Sequence, residues 1–209
     1  MAEIVIIDFE TTGLSPQYDR TIEVGAVIVK NGKIVESFSS LMNPKRSIPA
    51  FVTNLTGITN AMVKDQPTPQ KVMPQLKNFI GKRTLLAHNA SFDKNFLLAE
   101  MKRAQIKFEN NFICSLLLSR RLIPNLRSYK LKVIADHLNI KMDQEHRALA
   151  DVEATAKVWS HLYNVVQKHT DNQTPSLELF STICSTPKAQ IGQLLQPSKQ
   201  KPLSHQLNM

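Results

Sequence analysis

The chain has 209 residues, 42% of them apolar, and its 26 Lys and Arg exceed its 17 Asp and Glu to give a net charge of +9. This suffices for one good-sized domain with a real core, and no apolar run or basic-then-apolar leader points to a membrane or to export. Residues 171–209 contribute only three Lys against two acids, so the basic surplus lies in 1–170 and favours a polyanionic partner, nucleic acid first; Cys114 and Cys184 have no metal or redox spacing, which fits a reducing cytoplasm.

Ile4-Val5-Ile6-Ile7 is a short buried strand that runs into Asp8-Phe9-Glu10. Leu14 to Arg20 is a polar loop. Thr21 to Lys30 reads as a second strand, with Ile22, Val24, Ala26 and Ile28 on one face. Asn31-Gly32 is a hairpin signal, and Lys33 to Leu41 returns as a third strand. The segment from Pro44 to Asn60 is expected to be irregular. A helix starts near Pro69 with Thr68 as N-cap, and Pro74 predicts a kink or a late start. Thr84 to Ala87 is a buried strand, Ser91 to Gln105 an amphipathic helix, and Phe112 to Cys114 a further short strand. Ser115 to Leu122 and Lys130 to Leu138 read as helices, and Asp151 to Val166 as a long one. From Asp171 onward, one short helix near Leu177 to Cys184 and then disorder are expected. The division is therefore a domain over 1–170 and a tail over 171–209. The domain is α/β, with a five-stranded mixed sheet: an antiparallel meander plus parallel strands, flanked by helices.

Asp8 and Glu10 alternate with Phe9 and so share one face of the first strand. Two adjacent carboxylates raise each other's pKa. Either the strand end enters solvent, where acids are common, or a hard divalent cation holds the pair. Asp93, in His88-Asn89-Ala90-Ser91-Phe92-Asp93, follows a strand and opens a helix; taken alone it reads as a first-turn acid. Asp151, in His146-Arg147-Ala148-Leu149-Ala150-Asp151, likewise reads alone as a helix cap.

Together, the three segments resemble the motifs of the DEDD-type 3′→5′ exonucleases, in the subclass with a catalytic histidine. Asp8, Glu10, Thr11, Thr12 and Gly13 match the first motif; His88, Asn89, Phe92 and Asp93 the second; His146, Ala148, Asp151, Ala154 and Thr155 the third. The resemblance spans roughly residues 3–166, and its layout is closest to the exonuclease X and replicase-proofreading branch. It implies a ribonuclease H-like fold. It also implies two Mg²⁺ or Mn²⁺ ions held by Asp8, Glu10, Asp93 and Asp151, with His146 as general base. The expected reaction is release of nucleoside 5′-monophosphates from a free, single-stranded DNA 3′ end, in repair or replication proofreading. An RNA 3′-end exonuclease would use the same residues, because discrimination rests on the 2′-hydroxyl. A nucleic-acid-binding, polymerase-associated subunit is the reading from another class.

Thr11, Thr12, Gly13 and Leu14 would line the pocket for the last nucleotide. Leu55-Thr56-Gly57-Ile58 resembles the segment packing near it, with Thr56 where several relatives carry His. His88 belongs to the same substrate-binding set. Asn89 either bonds substrate or caps the following helix, and Phe92 either wedges beside a base or joins the core. Ser176-Leu177-Glu178-Leu179-Phe180 resembles a sliding-clamp-binding peptide, with Ser176 in place of the key Gln. A plain helix is the preferred reading there, with a clamp or polymerase contact through the tail as the alternative.

Overall fold

The computed structural model describes residues 3–142, 146–170 and 172–196. Three strands open the chain: β1 (Ile4–Thr11), β2 (Thr21–Lys30) and β3 (Lys33–Leu41). Two short helices follow, α1 (Ala50–Thr56) and α2 (Asn60–Val63), then α3 (Pro69–Ile80), β4 (Leu85–Ala87), α4 (Ala90–Arg103), β5 (Phe112–Cys114), α5 (Ser115–Leu122) and α6 (Leu131–His137). The last are α7 (Ala148–His169), α8 (Leu177–Ser185), a single 3₁₀ turn at Lys188–Gln190 and α9 (Ile191–Leu194). The sheet has five strands in the order β3-β2-β1-β4-β5. The β1–β2 and β2–β3 pairs are antiparallel; β1–β4 and β4–β5 are parallel. This is the mixed ribonuclease H-like sheet the sequence predicts.

Alternation along β1 splits the core in two. Ile4 and Ile6 pack with Val27, Val29 and Leu86 against Val152, Trp159, Leu162 and Val166 of α7. Val5, Ile7 and Phe9 pack with Val24, Ala26 and Ile28 against Val72, Leu76 and Leu97 of α3 and α4. With both faces covered, β1 and β2 are buried along nearly their whole length. Residues of the Ile4 and Ile6 parity therefore face α7, and Asp8 and Glu10 continue that series.

Four boundaries differ from the expectation. The segment from Pro44 to Asn60 is irregular only in part: it forms α1 over Ala50–Thr56, and α2 starts at Asn60. Val52 and Ile58 are buried with Ile22, Gly57 (φ +72°) closes α1 by its N–H to Thr53 O, and the Thr59 hydroxyl accepts from Met62 N to cap α2. Pro74 neither delays nor divides α3, because it lies on the exposed side, where water can take the carbonyl it leaves without a donor. The last long helix begins at Ala148, three residues before Asp151, because the Glu23 carboxylate accepts the Ala148 N–H from across the sheet. Beyond α8 the chain continues in helical turns rather than disorder as far as Leu194, with Ile191 and Leu195 buried in the α7-side core. The disorder expected for the far end of the tail, 197–209, lies outside the described residues.

The helix expected near Leu177 is α8, capped by Ser176, whose hydroxyl accepts from Leu179 N. Phe180 is fully buried, 4.6 Å from the Trp159 ring centroid and 5.6 Å from that of Tyr163. The aromatic that a clamp-binding peptide would present to its partner is thus buried in the core.

Candidate active site

Three elements converge at the carboxyl ends of the parallel strands β1 and β4. β1 carries Asp8 and Glu10, partly buried on the α7 side. α4 starts directly after β4 and brings Asp93, only 2% exposed, under the end of β1, where its Oδ1 accepts the Phe9 N–H at 3.2 Å. α7 brings Asp151 in its first turn. Glu10, Asp151 and His146 each point a ligand atom into one space, all within 4.8 Å of one another. Asp93 and Asp151 both sit at helix N-termini, whose partial positive charge favours carboxylates.

The electrostatics are those of acids crowded without enough cation. Burial pushes Asp8 well above the usual carboxylate range, and the charges of Asp93, Glu10, Asp151 and Glu23 add to that. Burial also raises Glu10 to about 8, helped by Asp151, Glu23 and Asp93 and opposed by Arg147. Asp93 is raised to about 8 by burial, against the lowering effect of the Phe9 N–H bond. No Lys or Arg among the described residues forms an ion pair with Asp8, Glu10 or Asp93. Half-buried oxygen ligands with one imidazole at the rim suit hard divalent cations such as Mg²⁺ or Mn²⁺.

His146 is exposed, and its backbone is left-handed (φ +60°). The residue after it is tightly held. Arg147 Nε and Nη2 donate to the Glu23 carboxylate at 2.8–3.2 Å, and the Ala148 N–H donates to Glu23 Oε2 at 3.0 Å. Glu23 is 2% exposed and stands opposite Glu10 in the β1–β2 register. Neither Glu23 nor Arg147 was assigned a role from sequence. The available signal was a lone acid inside the apolar run Thr21-Ile22-Glu23-Val24.

The remaining expected site residues divide by how the chain uses them. The Thr11 hydroxyl donates to Gly13 O at 2.6 Å and that of Thr12 to Asp19 Oδ1 at 3.1 Å, so both fold the β1–β2 loop onto itself. A Cβ on Gly13 would fall 2.5 Å from the Asp19 carboxylate, which is why glycine stands there. The loop is fastened to α4 through buried Glu100, which takes Arg20 at 2.8 Å and Arg103 at 3.2 Å. Leu14 in this loop is 83% exposed; Leu55, on α1, is separately 55% exposed. The Thr56 hydroxyl is used locally, donating to Val52 O and accepting from Ile58 N. Phe92 is half-buried with its ring centroid 4.9 Å from that of Phe96. Asn89 is exposed in the left-handed region, and its side chain makes no capping bond to α4.

His88 is committed within the chain at both ring nitrogens. Nε2 lies 2.9 Å from Tyr129 O and Nδ1 3.0 Å from Ser115 Oγ. Burial lowers its pKa to about 4, more than the Tyr129 contact raises it, so the ring is neutral. A carbonyl only accepts, so Nε2 carries the proton, and Nδ1 and Ala87 O, 3.0 and 3.2 Å from Ser115 Oγ, share the single Ser115 hydroxyl proton. His88 thus ties β4 to α5 and to the segment before α6, and offers no free nitrogen for the substrate contact expected of it.

The exonuclease family model, of the RNase T type, matches residues 5–159, a span that contains all three motifs. The chain belongs to this exonuclease family. The PolC-type DNA polymerase III of Caldanaerobacter subterraneus subsp. tengcongensis is 41% identical over 166 residues, and that of Clostridium perfringens 40% over 169. These alignments take in 79% and 81% of this chain but 12% of either relative, so the chain spans about an eighth of their length. The structure of exonuclease X in complex with 5′-overhanging duplex DNA is 30% identical, with a TM-score of 0.70 over 87% of this chain and 99% of that one. Escherichia coli exonuclease I with a dT13 oligonucleotide has a TM-score of 0.71 over 80% of this chain and 42% of that one, at 18% identity, a likeness of fold. In this exonuclease-family chain the segments that carry the three motifs meet where Glu10, His146 and Asp151 converge.

Proposed function

We propose that the protein is a metal-dependent 3′→5′ exonuclease that shortens DNA from a free 3′ end and releases nucleoside 5′-monophosphates. The observation that carries this reading is the convergence of Glu10, Asp151 and His146 beside partly buried Asp8 and buried Asp93. The 30% identity with exonuclease X, solved on DNA, supports DNA as the substrate. Asp8, Glu10, Asp93 and Asp151 would hold two divalent ions. Bound there, such ions supply the positive charge that offsets the acids and stabilises charge developing on the phosphodiester oxygens. His146, at the rim, takes the proton from the attacking water, a task suited to an imidazole near neutral pH. Leu14 and Leu55, held out to solvent, would pack against the terminal nucleotide. The PolC-type likeness supports a polymerase context, and a polymerase complex that survives purification would test it.

The deciding experiment mixes equal amounts of 5′-labelled single-stranded DNA and RNA of one sequence with the protein and Mg²⁺ or Mn²⁺. The DNA ladder should shorten from the 3′ end, and EDTA or Asp8→Ala should abolish the shortening. An RNA ladder instead would overturn the substrate assignment. No shortening of either, with both retained on a gel, would make the protein a binding module.

A further inference from the structure

His146 presents a puzzle of positioning. Its side chain is exposed, so no packing holds it, and its backbone sits in a left-handed conformation that non-glycine residues seldom occupy. A general base must nevertheless stay within hydrogen-bond reach of the proton it removes. The only direction from which the described structure fixes it is the residue that follows.

That residue is held with unusual thoroughness. The Arg147 fork meets Glu23 through Nε and Nη2, a planar pairing that sets orientation as well as distance. The same carboxylate takes the Ala148 N–H, so one buried side chain of β2 holds two successive residues after His146. Gly25, one pleat along β2, has no Cβ; one built there would fall 2.4 Å from Ala148 C and 2.5 Å from Leu149 N. The backbone at the start of α7 therefore lies directly on β2. Through the register Glu10↔Glu23 and Asp8↔Gly25, the strand that holds Arg147 and Ala148 is also the neighbour of the carboxylate strand.

We propose that Glu23 and Arg147 are positioning residues for His146: the pair transfers the register of β1 and β2 to an exposed imidazole. This rests on the reading of His146 as the base. Arg147 would act through its neighbour, since its Nε–Nη2 edge faces Glu23.

The test is a mutant cycle on the Mg²⁺-supplied enzyme with 5′-labelled single-stranded DNA. Arg147→Lys keeps a cation beside Glu23 but loses the fork. The double variant Glu23→Gln with Arg147→Gln removes both charges and leaves no orphaned carboxylate, should the lysine variant fold poorly. Each is measured for kcat and KM in the His146 and the His146→Ala backgrounds. With His146 present, kcat should fall roughly 10- to 100-fold, the scale of an ångström-level misplacement, at a KM within about twofold. In the His146→Ala background the same change should cost less than about twofold. An equal loss in both backgrounds would mean the pair serves the fold or Asp151, and would overturn the proposal; so would no loss in the first. If His146→Ala alone leaves kcat unchanged, the base assignment falls first and takes the positioning role with it.

Discussion

Stripping divalent metal with EDTA should make this protein lose stability as the pH rises from 6.5 to 8, and metal should restore it. In the folded state Glu10 and Asp93 keep their protons to about 8, whereas the ordinary values are 4.5 and 3.8. The unfolded chain has therefore already released protons that the folded chain still holds, and stability falls with pH wherever the native state binds more. Over this interval one such group gives up about 1.5 kcal/mol, from 1.36 kcal/mol per unit of pH up to its pKa. For a chain of this size that is a loss of roughly 3–6 °C in melting temperature. The window is chosen for its neighbours. His88 and His161, lowered by burial, gain stability as pH rises and level off about one unit above 6.5, a smaller contribution of opposite sign within the window. Cys184, raised to about 11, acts above it. Melting by calorimetry in EDTA at pH 6.5 and 8 reads the effect directly. Mn²⁺ at 100 times its dissociation constant should add roughly 2.7 kcal/mol at pH 8, and Asp8→Asn should remove most of that gain. A melting temperature in EDTA that is level or rising across the window, with no response to Mn²⁺, would refute the charge-crowded site.

Other consequences can be checked on the same protein. Gly25→Ala should displace the start of α7, because its Cβ meets the Ala148 backbone at 2.4 Å; turnover should drop roughly 100-fold with circular dichroism retained, and unchanged turnover would mean that this close approach is immaterial. His88→Ala leaves the Tyr129 carbonyl without its His88 donor, while the Ser115 hydroxyl keeps Ala87 O, and should cost roughly 1–3 kcal/mol by urea unfolding; a raised KM at full stability would instead restore the direct substrate contact. Phe180→Ala should cost roughly 3–5 kcal/mol, since it empties the contact with Trp159 and Tyr163; a silent change would return the aromatic to a partner-binding role.

The residues that were legible in sequence are those whose chemistry and local structure coincide. Asp8 and Glu10 lie in a strand whose alternation fixes their common face, and Asp93 and Asp151 begin helices, so their placement follows from elements the periodicity already reveals. Glu23 was not legible as a site neighbour, because nothing in a single strand says which residue stands across from Glu10 or that Arg147 will arrive from 124 residues away. α1 was missed because seven residues give too little periodicity, although Gly57 and Thr59 mark its end and the next start. The order beyond α8 was missed because Ile191 and Leu195 are isolated in polar sequence, and only the α7 surface shows what they pack on. His88 matched a motif whose pattern does not reveal that Tyr129 and Ser115 engage both nitrogens.

The site divides its work between rigid and adjustable parts. Carboxylates that repel one another would separate if their backbones could move, so each is anchored by an element that cannot: Asp8 within a doubly covered strand, Asp93 by the Phe9 N–H, Asp151 in a helix whose first turn lies on β2. That rigidity maintains the charge crowding that favours cations. In the proposed reaction the proton acceptor would have the opposite requirement, since it would approach a scissile phosphodiester that arrives and leaves with each nucleotide. His146 stands outside the packed core, at an exposed left-handed residue, and on the proposed reading Glu23 and Arg147 would limit how far its backbone can travel. A base buried among the acids would be fixed more firmly, but it would be closed to the advancing strand.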